Sequence, residues 1–151
     1  MVGKTDEVCI RQLMEKYIKR IQSFVGFDLM ILPDIKNNKN RSEEEQKEKE
    51  AVLLLQKISP SDYVILLDEN GTEMTSVEFA GFLQKKMNAG LKQLVFIIGG
   101  PYGFSKKIYQ RANAKLALSK MTFSHQLVRP LFLEQLYRGF TILNNHPYHH
   151  S

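Results

Sequence analysis

The stretch Phe96-Ile97-Ile98-Gly99-Gly100-Pro101-Tyr102-Gly103-Phe104-Ser105 constrains this chain more than any other. Gln93 to Ile98 is a short run rich in Val, Ile and Phe, with no internal Gly or Pro. It reads as a fully buried strand of an α/β sheet. Two glycines stop it. Without a Cβ, Gly99 and Gly100 can take backbone angles closed to other residues and let a ligand approach the main chain. Pro101 and Gly103 then fix a tight loop, and Ser105 is placed to cap the next helix. Ligands of open α/β sheets bind at the carboxyl ends of strands. The loop is therefore the first candidate binding site, although such an ending by itself also describes a plain turn.

The rest of the chain alternates between helical and strand patterns. Asp6 is placed to cap a helix over about 7–22, with Ile10, Leu13, Met14, Tyr17, Ile18 and Ile21 on one face. Cys9, at a core spacing, reads as a small buried apolar residue. Phe27 to Leu32 reads as a second strand, and 33–41 as a polar surface loop. Ser42 with Glu45 forms a capping box. It opens a helix whose charged first half reads as a solvated face and whose second half is apolar. Tyr63 to Leu67 is the next strand, closed by a turn at Asp68-Glu69-Asn70-Gly71. Thr75 with Glu78 opens another helix, which Gly90 ends. A helix at Lys106 to Ala112, a strand at Leu116 to Ser119, a loop at Lys120 to His125 and an amphipathic helix over about 127–143 follow. This order predicts one α/β domain over residues 1–151, with a mostly parallel sheet flanked by helices.

No window approaches the roughly 18 to 20 apolar residues of a membrane span. No basic-then-apolar leader opens the chain, and Cys9 is the single cysteine. A cytoplasmic protein without a membrane partner is expected. The charge is uneven: residues 91–151 hold eight Lys and Arg against one acid, Glu134. A polyanion such as RNA suits that balance, as does an ordinary solvated surface. Phosphate-loop, dinucleotide and nucleophile-elbow motifs are absent. His146, His149 and His150 lack cysteine partners and sit at a tail, so no metal site is expected.

Three strand ends carry small or ligand-friendly residues: Leu67-Asp68, Gly99-Gly100-Pro101, and Leu118-Ser119-Lys120-Met121-Thr122-Phe123. The blocks IIGGPYGFS (97–105), LSKMTFSHQLVR (118–129) and LEQLYRGFTILNNHPYHH (133–150) resemble the bacterial ribosomal large-subunit methyltransferase H family. That family belongs to the SPOUT class of α/β-knot methyltransferases. The resemblance covers nearly the whole chain. It implies a C-terminal trefoil knot, S-adenosylmethionine as cofactor, and a homodimer whose active site uses both subunits. It also implies methylation at N3 of a pseudouridine in 23S rRNA of the assembled ribosome, and no DNA partner.

Carried over residue by residue, the family's cofactor contacts fall on Leu67, Gly99, Leu118, Ser119, Lys120, Met121, Thr122 and Phe123. Physically, main-chain groups of such loops can hydrogen-bond an adenine edge, Leu67, Leu118 and Phe123 can enclose it, and glycine at 99 keeps a Cβ out of the cofactor space. The proton on N3 must leave, so a base is needed. His125, Tyr148 and His149 are the candidates, while Arg129 and Arg138 could neutralise phosphate or charge developing on the base. For His125 and Arg138 a structural role, in capping or at the dimer interface, stays open. So do a non-catalytic RNA- or ribosome-binding α/β protein and a SPOUT enzyme acting on tRNA. Two departures from the family stand out. Its members begin with a hydrophobic strand ahead of the Val-Gly-Lys-Thr segment, most of which is missing before Met1-Val2-Gly3-Lys4-Thr5 here. Pro130 stands where an ordinary helix residue is expected, so the last helix starts near Val128 or kinks there.

Overall fold

The computed structural model describes residues 1–33 and 42–149. Helices α1 (Val8–Gln22) and α2 (Glu43–Leu55) precede strand β1 (Tyr63–Glu73). Then come α3 (Ser76–Asn88), β2 (Leu94–Ile97), α4 (Lys106–Arg111), β3 (Ala114–Ala117) and α5 (Val128–Leu143). The strands form one parallel sheet in the order β2-β1-β3. The α/β class with a parallel sheet flanked by helices is the architecture observed. The loop expected at 33–41 lies, beyond Pro33, outside the described residues.

The central strand is β1, where Val64, Ile65 and Leu66 are buried. The strand before the glycine loop is instead an edge. In β2, Leu94, Val95 and Phe96 are only half-buried. A run of Val, Phe and Ile reports affinity for apolar surroundings, not the number of neighbouring strands. Here those surroundings include Phe132, whose ring centroid lies 4.8 Å from that of Phe96. They also include a groove beside the strand, walled by Phe27, Leu29, Leu136 and Phe140. The expected strand at Phe27 to Leu32 is not one: a single parallel bridge joins Leu32 to Val2.

Two boundaries near the sheet differ from expectation. The break expected at 68–71 lies within β1 rather than at its end: the strand resumes and runs to Glu73, and Leu67 and Thr72 both pair with Leu116 across a register shift. β3 ends at Ala117, so Leu118 and Ser119 belong to the loop after it. Both changes lengthen the structure above the carboxyl end of the sheet.

The helices follow their apolar stripes. In α1, Ile10, Met14 and Ile21 are buried, whereas Cys9 and Leu13 are exposed. Four residues apart, those two share an outward stripe, so Cys9 is not a core residue. Asp6 does not cap this helix; Glu7 holds the cap position and makes no side-chain cap bond. In α2, Ser42 Oγ accepts the Glu45 N–H at 3.2 Å. Its charged half is not wholly solvated, because Gln46 and Glu50 are buried. Thr75 and Glu78 complete a reciprocal capping box on α3. α5 begins at Val128, which leaves Pro130 in the first turn, where no intrahelical N–H bond is lost.

Candidate active site

The register Leu66↔Ile97 and Leu67↔Leu116 brings three chain segments to one edge of the sheet: Leu67, the glycine loop after β2, and 118–123 after β3. The expected cofactor residues therefore share the carboxyl end of neighbouring strands. In the glycine loop, the Gly103 N–H donates to the Gly100 carbonyl at 3.2 Å. Gly103 has φ +78°, a left-handed angle that favours glycine. Gly99 also has a packing constraint of its own. A Cβ there would meet the Phe104 ring at 3.0 Å and 3.2 Å, so a valine would collide with Phe104 before reaching open space.

The loop after β3 is tied to the tip of β1. Thr122 Oγ1 donates to Glu69 Oε2 at 2.8 Å, and Lys120 Nζ lies 3.9 Å from Glu73 Oε2. Ser119 Oγ accepts the Met121 N–H at 2.9 Å, closing a small turn. Beside it, the Tyr109 hydroxyl donates to Asp68. Burial, and then Asp68, pushes the Tyr109 pKa up to about 12. Leu67 and Leu118 pack against the main core, while Phe123 and Met121 are exposed at 38% and 76%. Apolar walls next to a loop whose main chain lies outside sheet and helix fit an adenosyl group.

The far end of this loop is pinned to the start of the chain. Gln126 exchanges two hydrogen bonds with Asp6, at 3.1 Å and 3.0 Å. Arg129 is fully buried and donates to Thr5 Oγ1 at 2.7 Å and to the Val2 carbonyl at 2.6 Å. It is a structural pin, not a contact for phosphate or for the reacting base. His125 is half-buried on the same loop, and its imidazole makes no hydrogen bond with a described residue.

Arg138, Tyr148 and His149 form a second group. α5 ends in a Schellman motif: the His146 N–H donates to the Thr141 carbonyl at 2.9 Å, and the Asn145 N–H to that of Ile142 at 3.1 Å. Asn145 holds the left-handed position, φ 52°, usually taken by glycine. The tail thereby folds back along α5. The Tyr148 ring packs edge-on against Tyr137, with centroids 4.7 Å apart, and Arg138 lies over its face. Its hydroxyl reaches Glu134 Oε1 at 3.1 Å and the Tyr17 hydroxyl at 3.4 Å. Arg138 also donates to Glu134 and lies 3.4 Å from His149 Nδ1.

Burial, reinforced by Tyr17 and Glu134, raises the Tyr148 pKa. The phenol is thereby held in its protonated form, bonded to Glu134 with Arg138 over its ring. The hydrogen bond to Glu134 raises the Arg138 pKa and keeps it cationic. Glu134 was legible in the sequence as a carboxylate four residues before Arg138. Tyr17, 131 residues from Tyr148, left no local signal. Among the described residues no hydrogen bond, ion pair or ring contact joins this group to loop 118–123.

Parallel strands whose carboxyl ends carry a glycine loop and a pinned apolar loop define a cofactor-binding α/β protein. A family profile described as "Predicted SPOUT methyltransferase" matches residues 1–149. The chain belongs to the SPOUT methyltransferase family, whose members take their methyl group from S-adenosylmethionine. Among its relatives, the Flavobacterium johnsoniae protein named "Ribosomal RNA large subunit methyltransferase H" is 60% identical over 99% of this chain and 96% of its own. Proteins of the same name from Parabacteroides distasonis and Bacteroides thetaiotaomicron are 51% and 52% identical over all of this chain and 96% of their own.

Proposed function

We propose that this protein methylates large-subunit ribosomal RNA, at N3 of a pseudouridine in 23S rRNA, with S-adenosylmethionine as donor. The observation that carries the reading is 51–60% identity over nearly the whole chain to proteins named for that RNA. The converging strand ends support it. S-adenosylmethionine supplies a methyl group made electrophilic by its sulfonium sulfur. Leu67, Gly99 and Leu118 to Phe123 hold the cofactor. The acceptor nitrogen must lose its proton, and the residues proposed to take it are His125, Tyr148 and His149. Arg138, kept cationic by Glu134, offsets negative charge developing on the base. The ribosome, in the cytoplasm, is the setting.

The working unit is a homodimer. Two observations support it: among the described residues no hydrogen bond, ion pair or ring contact joins the Arg138–Tyr148–His149 group to loop 118–123, and Leu127 and Leu131 at the start of α5 are exposed at 52% and 42%. Further along α5, Leu136 and Phe140 are spent in the monomer's own core. Sedimentation equilibrium at micromolar concentration should show a dimer. A monomer that still methylates its target would exclude a shared site.

The chemistry is tested in two measurements. Calorimetry should show binding of S-adenosylmethionine and S-adenosylhomocysteine. Mass mapping of rRNA from a deletion strain should show the loss of one methyl group on a 23S pseudouridine. Absence of cofactor binding would leave a non-catalytic RNA-binding protein, and an intact 23S map with an unmodified tRNA would move the substrate.

A further inference from the structure

We infer that Glu50 is a positioning residue for the glycine loop, setting cofactor affinity without touching the reacting atoms. The inference rests on residues 99–104 being part of the cofactor site. Glu50 lies in the charged half of α2, yet it is only 5% exposed. The inward stripe of that helix reads Gln46, Glu50, Ala51, Leu54, with a carboxylate where helical periodicity calls for an apolar group. A buried carboxylate carries a desolvation cost that leucine at the same place would not.

What the carboxylate faces gives the reason. A methyl group placed on Gly100 would lie 2.9 Å from Glu50 Oε2 and 3.0 Å from Oε1. Both oxygens therefore occupy the space that a side chain at position 100 would need. The headgroup is not free to swing, because Gln46 Nε2 donates to Oε1 at 3.0 Å. The helix beneath is fixed as well. Ala51 and Leu54 share a core cluster with Phe104 and Ile108, and Lys107 on α4 pairs with Glu48 at 2.6 Å. Glu50 thus buttresses the point where the chain leaves Gly99, on the side set by α2. Gly100 is glycine because Glu50 occupies the space its Cβ would need.

The test is a double-mutant cycle on the full chain, read by affinity for S-adenosylhomocysteine and by methyl-transfer kinetics. Glu50→Ala should weaken cofactor binding and raise KM for S-adenosylmethionine by about tenfold or more, with kcat at saturation within about threefold. Glu50→Gln, which keeps the length and the partner Gln46, should recover most of the affinity. Gly100→Ala should weaken binding in the native background but not beside Glu50→Ala, where the space is open. Native affinity in Glu50→Ala, or an equal loss from Gly100→Ala in both backgrounds, would overturn the inference. Should Glu50→Ala not fold, Gly100→Ala alone decides: undiminished affinity refutes the buttress, and weakened affinity at a native melting temperature supports it. Amide hydrogen exchange separates this role from the cofactor reading. Exchange at Gly100 and Gly103 should quicken in Glu50→Ala while β1 stays protected. A wild-type protein that binds neither ligand would instead refute the site.

Discussion

Gly71→Ala should destabilise the protein by about 3 kcal/mol, the upper end for forcing a methyl group into a packed interior. The added Cβ would lie 2.6 Å from the Leu116 carbonyl carbon, 2.7 Å from the Leu116 nitrogen and 2.7 Å from the Lys115 carbonyl carbon. All three are backbone atoms, so no side chain can rotate away. The clash falls inside the β1–β3 register shift, where the tip of β1 passes over β3. Relief requires the two strands to separate. Because Asp68, Glu69 and Glu73 on that tip hold Tyr109, Thr122 and Lys120, separation also loosens the loop assigned to the cofactor. Urea denaturation followed by circular dichroism should show a lower midpoint with an unchanged slope. A native midpoint would mean that β1 and β3 adjust without strain.

Removing Pro147 to Ser151 should cut methyl transfer to ribosomes by at least about tenfold, a barrier increase of about 1.4 kcal/mol. The tail also contributes packing, because Tyr148 packs on Tyr137 and bonds to Tyr17 and Glu134. Truncation should therefore also lower the melting temperature. Two milder variants separate the effects. Tyr148→Phe keeps the ring in place and removes only the hydroxyl. His149→Ala removes the ring beside Arg138 and should leave stability nearly unchanged while transfer falls. Tritiated-methyl incorporation and thermal melting on each variant give the comparison. Full transfer by the truncated protein would show that the tail is only packing, and base recognition would then be sought around His125.

The sequence by itself determined the class of fold and the identity of the loops. Alternating helix and strand patterns, two Ser/Thr–Glu starts and glycines after helix and strand ends are local signals. Local chemistry executes them whatever the surroundings: Thr75 caps α3, and Gly90 turns the chain after it with φ +67°. Only the tertiary structure decided how many neighbours each segment has. The Gln93–Ile98 run looked central and is an edge, because apolarity does not encode which side of a strand is paired. Arg129 looked like a phosphate ligand and is a buried pin, because its partners Val2 and Thr5 lie more than a hundred residues away. Glu50 looked solvated within a run of charges. Its burial follows from the packing of α2 beneath a loop 50 residues further on, a relation that no window of sequence contains. Residue type and spacing set what a segment can do, and the distant segment folded against it selects which of those roles it takes.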